Sequence, residues 1–203
     1  MENEFKLITG ALLTLAVSTT ALVVLPYLQL QSVQPPPGLK DYSLEQARGR
    51  QQYIREGCMY CHSQQPRDAS QAPDAKRGWG RAPVPGDYYY DKPHLLGTMR
   101  TGPDLFNIGA RQPSIDWQLG HLYQPRAYTP DSIMPGFPYL FELKAQAAAG
   151  DKVVTLPPKF APAKGVIVAR PEALRLAQYL LSLDHTYPIP DASAANQGSR
   201  RHD

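Results

Sequence analysis

The chain has 203 residues and a formal net charge of +3 at pH 7, and 42% of its residues are hydrophobic. The charge is modest and no cluster of Lys and Arg is interleaved with aromatic residues, so the composition does not favour a nucleic-acid partner. The 21 prolines and 15 glycines predict long irregular stretches in a chain whose length allows one small domain after an N-terminal segment.

The N-terminal segment predicts a membrane-spanning helix. Residues 7–28 (LITGALLTLAVSTTALVVLPYL) carry no charge, and a helix of this length spans about 33 Å, enough to cross the hydrocarbon core of a bilayer. A cleaved secretory signal is the alternative, with Ala16-Val17-Ser18 as a candidate cleavage site. Because the apolar run continues beyond that site and residues 1–6 hold one Lys against two Glu, we expect a retained anchor over residues 1–33.

A proline-rich linker and a helix follow the anchor. The run Gln34-Pro35-Pro36-Pro37-Gly38 is typical of a stiff polyproline-like spacer, and within a linker of residues 34–42 it would lift the next domain off the membrane. The run Ser43-Leu44-Glu45-Gln46 matches a capping box, which predicts a helix that continues to about Glu56. Gly57 is expected to end this helix.

The motif Cys58-Met59-Tyr60-Cys61-His62 contains the only two cysteines of the sequence. C-x-x-C-H is the attachment signature of a c-type haem, in which two thiols add to the vinyl groups and the adjacent imidazole ligates the iron. The motif therefore predicts one covalently attached haem c, held by Cys58 and Cys61 and ligated by His62.

Three other kinds of site have to be weighed against haem attachment. A thioredoxin-like dithiol also has C-x-x-C, but it requires a strand-to-helix setting in a βαβ chain. A structural zinc site requires four ligands, and the remaining histidines stand alone and far apart: His94, His121, His185 and His202. A disulfide across two intervening residues would close too small a loop to stabilise much. Haem attachment is the favoured interpretation.

The middle of the chain predicts a long loop and a short helix. Residues 66–98 are rich in Gly and Pro and show no sustained hydrophobic period, so they are expected to be irregular. Ser114 to Tyr123 can form a short helix that ends before Pro125.

The C-terminal part predicts a hairpin, a helix and a tail. Residues 153–168 are compatible with a short hairpin, and Pro171 is placed at the first position of an amphipathic helix that runs to about Leu183. Together these elements suggest a haem domain over residues 43–190, followed by a small, polar, flexible tail over residues 191–203.

The second face of the iron needs its own ligand, usually a sulfur or an imidazole. Met134 is favoured because Pro135 and Gly136 follow it and break helix and strand alike, which lets a loop lay the thioether over the haem. Core packing is its alternative role. The other candidates for the sixth ligand are Met99, His94 and His121.

His62 also needs a hydrogen-bond acceptor for its second ring nitrogen, which fixes the tautomer and raises the basicity of the ligand. The run Thr101-Gly102-Pro103-Asp104-Leu105 offers one. Pro103 contributes a backbone carbonyl without a competing N–H group, and Gly102 allows a close approach to the haem. The alternative for this run is an ordinary turn.

These motifs together carry a family resemblance. In chain order they are Gly49-x-x-x-Tyr53, CMYCH, Gly102-Pro103-x-Leu105, Met134-Pro135 and Ala177-x-Tyr179-Leu180. This order resembles the class I cytochrome c pattern. The wider wording, YIREGCMYCHSQ, RTGPDL and a Met-Pro segment that runs on into FPYL, resembles the mono-haem cytochrome c subunit (FixO/CcoO family) of cbb3-type haem-copper oxidases over most of residues 1–141. The residues that follow the haem motif, Gln65-Pro66-Arg67-Asp68, depart from that pattern.

The resemblance implies a mainly α fold, with one N-terminal transmembrane helix followed by a class I cytochrome c-like helical domain with long loop insertions. It also implies an electron relay that is not itself catalytic. A di-haem cytochrome c subunit or a soluble cytochrome would donate electrons, and the catalytic haem-copper oxidase subunit would receive them. Two alternatives stay open: the cytochrome c subunit of a nitric oxide reductase, and a free-standing membrane-anchored electron carrier. A non-haem thiol enzyme is the least favoured of the alternatives.

The expected side of the membrane for the haem domain follows from the compartment in which haem is attached. Lys6 alone precedes the helix, whereas Lys40, Arg48 and Arg50 follow it, which by the positive-inside count would place the domain in the cytoplasm. Haem is attached to C-x-x-C-H on the opposite side, and a long domain is translocated largely regardless of its charges. We therefore expect a single-pass protein in the lipid of the cell inner membrane, with a cytoplasmic N-terminus and a periplasmic haem domain.

Some further residues are candidates for contacts of the haem or of a partner. Arg100, Arg111 and Trp79 are candidates for the haem edge or the propionates, and the alternative for each is solvated charge or ordinary packing. The run Tyr88-Tyr89-Tyr90, flanked by Asp87 and Asp91, favours an interface patch over a redox relay.

Overall fold

The computed structural model describes residues 2–189, so the tail expected over residues 191–203 lies outside the described residues. The α-helices are α1 (Glu2–Thr19), α2 (Leu25–Leu30), α3 (Leu44–Arg55), α4 (Ile108–Arg111), α5 (Ile115–Tyr123) and α6 (Pro171–Ser182). The strands are β1 (Phe141–Lys144), β2 (Val153–Val154) and β3 (Val166–Ala169). The described part of the chain is thus mostly helical, as the sequence predicts.

The N-terminal helix is continuous and exposed. α1, a π-helical turn (Thr20–Val24) and α2 follow one another without a break. The span Asn3–Leu30 is long and apolar enough to cross a membrane, and none of it is buried against the rest of the protein. The wide π turn lies just before Pro26, whose ring would clash with the carbonyl group four residues earlier in a regular α-helix.

The proline-rich linker lies on the domain. Pro36 is buried, and a Cβ built on Gly86 would stand 2.6 Å from the backbone oxygen of Gln34 and 3.1 Å from Cδ of Pro36. Gly38 in turn lies against the side chain of Tyr187. The structure therefore differs from the free-standing spacer that the sequence suggests: the apolar ring of Pro36 packs against the long loop instead of standing in water.

Helices α3 and α6 cross in direct backbone contact. Ser43 caps α3 by the predicted capping box: the Gln46 backbone N–H donates to Ser43 Oγ (3.3 Å), and the Ser43 N–H donates to Gln46 Oε1 (2.8 Å). At the crossing, a Cβ on Gly49 would lie 1.9 Å from the backbone oxygen of Arg175. The rings of Tyr53 and Tyr179, both fully buried, pack edge to face beside it. The predicted helices are confirmed.

A small antiparallel sheet closes the other side of the core. The predicted hairpin is confirmed, since β2 pairs with β3 through Val153 opposite Val168. β3 also pairs with β1, with Phe141 opposite Ala169, so the strand order is β1-β3-β2. The sequence prediction missed β1, and the physical reason is that only Phe141 of its four residues is buried.

The long loop is irregular but tightly held. Within residues 66–98 the only regular element is a 3₁₀ turn (Pro85–Tyr88). Three buried aspartates each pair with an arginine: Asp74 with Arg100, Asp87 with Arg81 and Asp91 with Arg50. Because a buried carboxylate is tolerated when it is paired and hydrogen-bonded, these pairs fix the course of a loop that has no helix or strand of its own.

Candidate haem site

The haem-attachment motif forms a tight turn directly after α3. Gly57 adopts a left-handed conformation (φ 70°), and Cys58–Tyr60 forms a 3₁₀ turn. The backbone N–H groups of Cys61 (3.1 Å) and His62 (3.0 Å) both donate to the carbonyl oxygen of Cys58. The local sequence thus brings both cysteines and the histidine into one turn, because glycine alone reverses the chain here without strain.

Both cysteines are free thiols, Cys58 half-buried and Cys61 exposed. Burial raises the pKa of the Cys58 thiol to about 12. A redox-active dithiol needs a cysteine whose pKa is lowered toward neutrality, so the thioredoxin-like alternative finds no support. A zinc site finds none either, because the described residues contain no group of three or more His, Cys, Asp or Glu side chains placed to hold a metal ion.

His62 is held by the carbonyl group of Pro103. The Nδ1 atom of His62 lies 2.7 Å from the Pro103 backbone oxygen, which can only accept, so Nδ1 carries the proton. Burial lowers the pKa of His62, and the bond to Pro103 partly offsets this. The side chain is therefore a neutral imidazole at pH 7, and this tautomer leaves the lone pair of Nε2 available to a metal.

Gly102 lies against the imidazole ring. A Cβ built on Gly102 would stand 2.3 Å from Cε1, 2.7 Å from Nδ1 and 2.9 Å from Nε2 of His62. The backbone N–H of Gly102 donates to the carbonyl oxygen of Cys61 at 2.8 Å. Gly102 is needed here because any larger residue would push the ring away.

Met134 lies in a segment attached to α5. Its side chain is half-buried and packs against the same hydrophobic core as Cys58. The Phe137 backbone N–H donates to the carbonyl oxygen of Leu122 at 2.9 Å, and a Cβ on Gly136 would lie 2.6 Å from the carbonyl oxygen of Tyr123. The segment that carries the thioether is thus held against the end of α5 by the two residues that follow Pro135.

The other candidates for the sixth ligand differ in their surroundings. Met99 is 54% exposed, and His94 is exposed beside Tyr88. His121 on α5 stacks on Trp117, and burial, together with the nearby His62, lowers its pKa to about 4. The Nδ1 atom of His121 is buried and has no hydrogen-bond partner among the described residues. His121 is therefore the alternative sixth ligand that needs a direct test.

The three candidates for haem-edge contacts separate clearly. Arg100 donates to both carboxylate oxygens of Asp74 (2.9 and 2.6 Å) and lies over the Trp79 ring at 5.3 Å, so Arg100 and Trp79 stabilise the loop. Arg111 donates to the backbone oxygen of Asp104 at 2.6 Å, while its Nε is buried without a partner in the described part of the chain. Burial lowers its pKa. Of the three candidates, Arg111 is the one that lies near His62 and has an N–H group, its Nε, without a partner among the described residues.

The prediction of an interface patch is wrong for Tyr88. This residue is 9% exposed, and its hydroxyl group donates to the backbone oxygen of Gln64 at 2.7 Å. The flanking Asp87 and Asp91 are buried and paired rather than exposed. Only Tyr89, at 44% exposure, presents a large surface.

Sequence reasoning missed Asp104. Its carboxylate is fully buried and accepts hydrogen bonds from Ser63 Oγ (2.5 Å) and from the backbone N–H groups of Gln65 (2.8 Å) and Phe106 (2.8 Å). Burial raises its pKa. An aspartate that follows glycine and proline is typical of a surface turn, and no signal in the sequence marks Ser63 and Gln65, 41 and 39 residues away, as its partners.

The residues of this site fit a covalently attached haem. They supply two free thiols in one turn, an imidazole with a free Nε2, and a glycine in close contact with the ring. The family model described as "Cytochrome C oxidase, mono-heme subunit/FixO" matches residues 1–159, more than half of the chain and all of this site. No curated protein matches the chain.

Proposed function

Because the chain belongs to the FixO family, the mono-haem subunits of cbb3-type cytochrome c oxidase, we propose that it is a membrane-anchored cytochrome that relays electrons inside such an oxidase. The observation that carries the proposal is the arrangement of Cys58, Cys61 and His62 in one turn, with His62 held by Pro103. A bound haem c supplies reversible one-electron chemistry at its iron.

Each site residue has a separate role in this proposal. The thiols of Cys58 and Cys61 form the two thioether links. His62 binds the iron through Nε2 while Pro103 accepts from Nδ1, and Gly102 leaves room for the ring. Met134 would supply a second iron ligand through its thioether. Because His62 and Met134 would then both hold the iron, the subunit is proposed to carry electrons and not to bind oxygen or act as a catalyst.

The domain of residues 43–190 is proposed to be a class I cytochrome c-like domain with long loop insertions. The close crossing of α3 and α6 at Gly49 and Arg175 supports this assignment. So does the position of the attachment turn immediately after α3. In this arrangement the sheet and the loop of residues 66–98 are additions around the helical core.

The catalytic haem-copper subunit is the proposed electron acceptor, and a di-haem cytochrome c subunit or a soluble cytochrome is the proposed donor. The family is a component of an oxidase complex, which supports the first of these. The helix Asn3–Leu30 is proposed as a single-pass anchor in the inner membrane, with the haem domain in the periplasm. Haem attachment in that compartment is the argument for this orientation.

Gentle detergent extraction tests the proposal. The chain should co-purify with a copper-containing subunit of many helices that consumes oxygen, and protease added to sealed spheroplasts should degrade the haem domain. Purification as a lone monomer would favour a free-standing carrier, and an iron-only partner that reduces nitric oxide would favour a reductase subunit. Protection of the domain from protease would contradict the orientation.

A further inference from the structure

Asp104 joins two segments that are distant in sequence. The bond from the Phe106 N–H to Oδ1 is a local turn contact, two residues along the chain. The bonds to Oδ2 come from Ser63 and Gln65, 41 and 39 residues away. The Asp104 carboxylate is fully buried, and its burial costs desolvation energy that an exposed turn aspartate avoids. We therefore expect its three hydrogen bonds to have a structural role.

The two segments are the ones that carry His62 and its acceptor. Backbone bonds from Gly102 to Cys61 and from Leu105 to Ser63, both 2.8 Å, lie on either side of the His62–Pro103 bond. Ser63 directly follows His62, and Asp104 directly follows Pro103. A slip of one segment past the other would therefore change the distance between Nδ1 of His62 and the carbonyl oxygen of Pro103.

We propose that Asp104 is the positioning residue of the haem ligand: its carboxylate holds Ser63 and Gln65 and thereby sets the hydrogen bond between His62 and Pro103. The effect at the iron rests on the proposed function. A well-formed bond to Nδ1 raises the basicity of the imidazole, and a buried negative charge nearby favours ferric over ferrous iron. Both effects lower the reduction potential, so the loss of Asp104 raises it.

The substitution Asp104→Asn separates this role from simple packing. The amide has nearly the same shape but keeps only one acceptor oxygen and replaces the other by an NH₂ donor. That NH₂ group cannot accept a hydrogen bond, so at least one of the three bonds to position 104 is lost. In either orientation of the amide the negative charge is also lost, so the links from Ser63 and Gln65 are either broken or reduced to weaker bonds with a neutral acceptor. Ser63→Ala removes a single link and leaves the carboxylate in place. Asp87→Asn is the matched control, because Asp87 is also buried and lies beside an arginine (Arg81), as Asp104 lies 3.8 Å from Arg100. The hydrogen bonds of Asp87 come from Arg81, Val84 and Tyr187 and not from the His62 segment.

The experiment is NMR of the full chain in detergent with ¹⁵N-labelled histidine, combined with a redox titration. Solvent exchange of the His62 ring N–H should be about tenfold faster in Asp104→Asn, the change expected when the bonds from Ser63 and Gln65 lose their charged acceptor. Ser63→Ala should change it in the same direction by less, and Asp87→Asn should leave it unchanged. The midpoint potential should rise in Asp104→Asn, and this rise should be larger than any change in Ser63→Ala or Asp87→Asn.

Two results would overturn the proposal. One is a folded Asp104→Asn protein with the exchange rate and the potential of the wild type; the other is an equal change in Asp87→Asn, which would show general loosening. If Asp104→Asn does not fold, an unchanged Ser63→Ala protein contradicts the proposal. A wild-type chain without covalent haem would contradict the proposed function instead, since the ring N–H of His62 can still be compared among haem-free proteins.

Discussion

Gly102 and His62 are in contact so close that the structure admits no side chain at position 102. A Cβ there would lie 2.3 Å from Cε1 of His62, well inside van der Waals distance. The backbone of Gly102 cannot retreat easily, because its N–H group donates to the carbonyl oxygen of Cys61. The imidazole orientation therefore depends on the absence of a single methyl group.

Gly102→Ala is expected to tilt the imidazole and lengthen its bond to Pro103. The overpacking should destabilise the protein by about 1–3 kcal/mol and lower the amount of correctly ligated haem. Haem content per polypeptide and the thermal midpoint measure the two effects. Thr101→Ala is the neighbouring control, since Thr101 is exposed. Wild-type haem content and stability in Gly102→Ala would show that the contact is not needed.

Met134→Ala tests the sixth ligand. The weak absorption band at the red end of the visible spectrum, which is typical of methionine bound to ferric haem, should vanish in this variant. Met99→Ala should retain the band, because Met99 is exposed. His121→Ala is the second comparison: its spectrum should keep the band as well. If the band persists in Met134→Ala, the assignment of Met134 is rejected, and loss of axial ligation in His121→Ala would transfer the role to that histidine.

Gly49→Ala tests the crossing of α3 and α6. The added methyl group would stand 1.9 Å from the backbone oxygen of Arg175 and 2.9 Å from Cβ of Tyr179, so the helices must move apart. We expect the free energy of unfolding, measured by denaturant titration, to fall by about 1–3 kcal/mol. Gln51→Ala, at an exposed position of the same helix, should be nearly neutral. Equal stabilities of the two variants would contradict the close crossing.

The Asp74–Arg100 pair predicts a defined dependence of stability on pH. The hydrogen bonds from Arg100 hold the pKa of the Asp74 carboxyl below its ordinary value, with help from the Arg67 backbone N–H and from Arg77 at 4.0 Å. A group whose pKa is lowered on folding stabilises the protein above its unfolded-state pKa of about 3.9, and loses this contribution as the pH falls through the lower folded value.

Asp74→Asn is therefore expected to destabilise the protein by about 1–3 kcal/mol at pH 7, because the two short hydrogen bonds from Arg100 lose their charged acceptor and Arg100 keeps only the Asp104 carboxylate, at 3.8 Å, as a charged partner. The difference between wild type and variant should shrink as the pH falls below about 4. Thermal midpoints of both proteins between pH 7 and pH 2 provide the measurement. Asp68→Asn, at an exposed site, is the control. A difference that stays constant over this range would show that the pair does not titrate as described.

The helices could be predicted because their signals are local. Ser43 and Gln46 cap α3 within one turn, Ser114 accepts from the Trp117 N–H at the start of α5, and Pro171 begins α6. The hairpin residues 153–168 were also readable from their β-branched run. β1 was not, since its partner β3 lies over twenty residues away and three of its four residues are not buried.

Only some of the residues of the site could be predicted from the sequence. Cys58, Cys61 and His62 share one motif, and Pro103 was predictable because a proline offers a carbonyl without a donor. The buried acids were not predictable. Asp74 and Asp104 look like solvated loop residues until the fold brings Arg100 and Ser63 to them. Tyr88 shows the same limit: its aromatic neighbours suggest a surface patch, whereas its hydrogen-bond acceptor, the backbone oxygen of Gln64, lies 24 residues earlier in the chain.

The central claim is that one haem is bound covalently through the turn at Cys58 and Cys61. The most direct measurement is the intact mass of the full chain, made in cells that attach haem in the periplasm, together with a haem stain on a denaturing gel. We predict a mass greater than that of the polypeptide by one haem and a stained band, both lost when Cys58 and Cys61 are changed to Ala. An unmodified mass and an unstained band for the wild-type chain would contradict the claim.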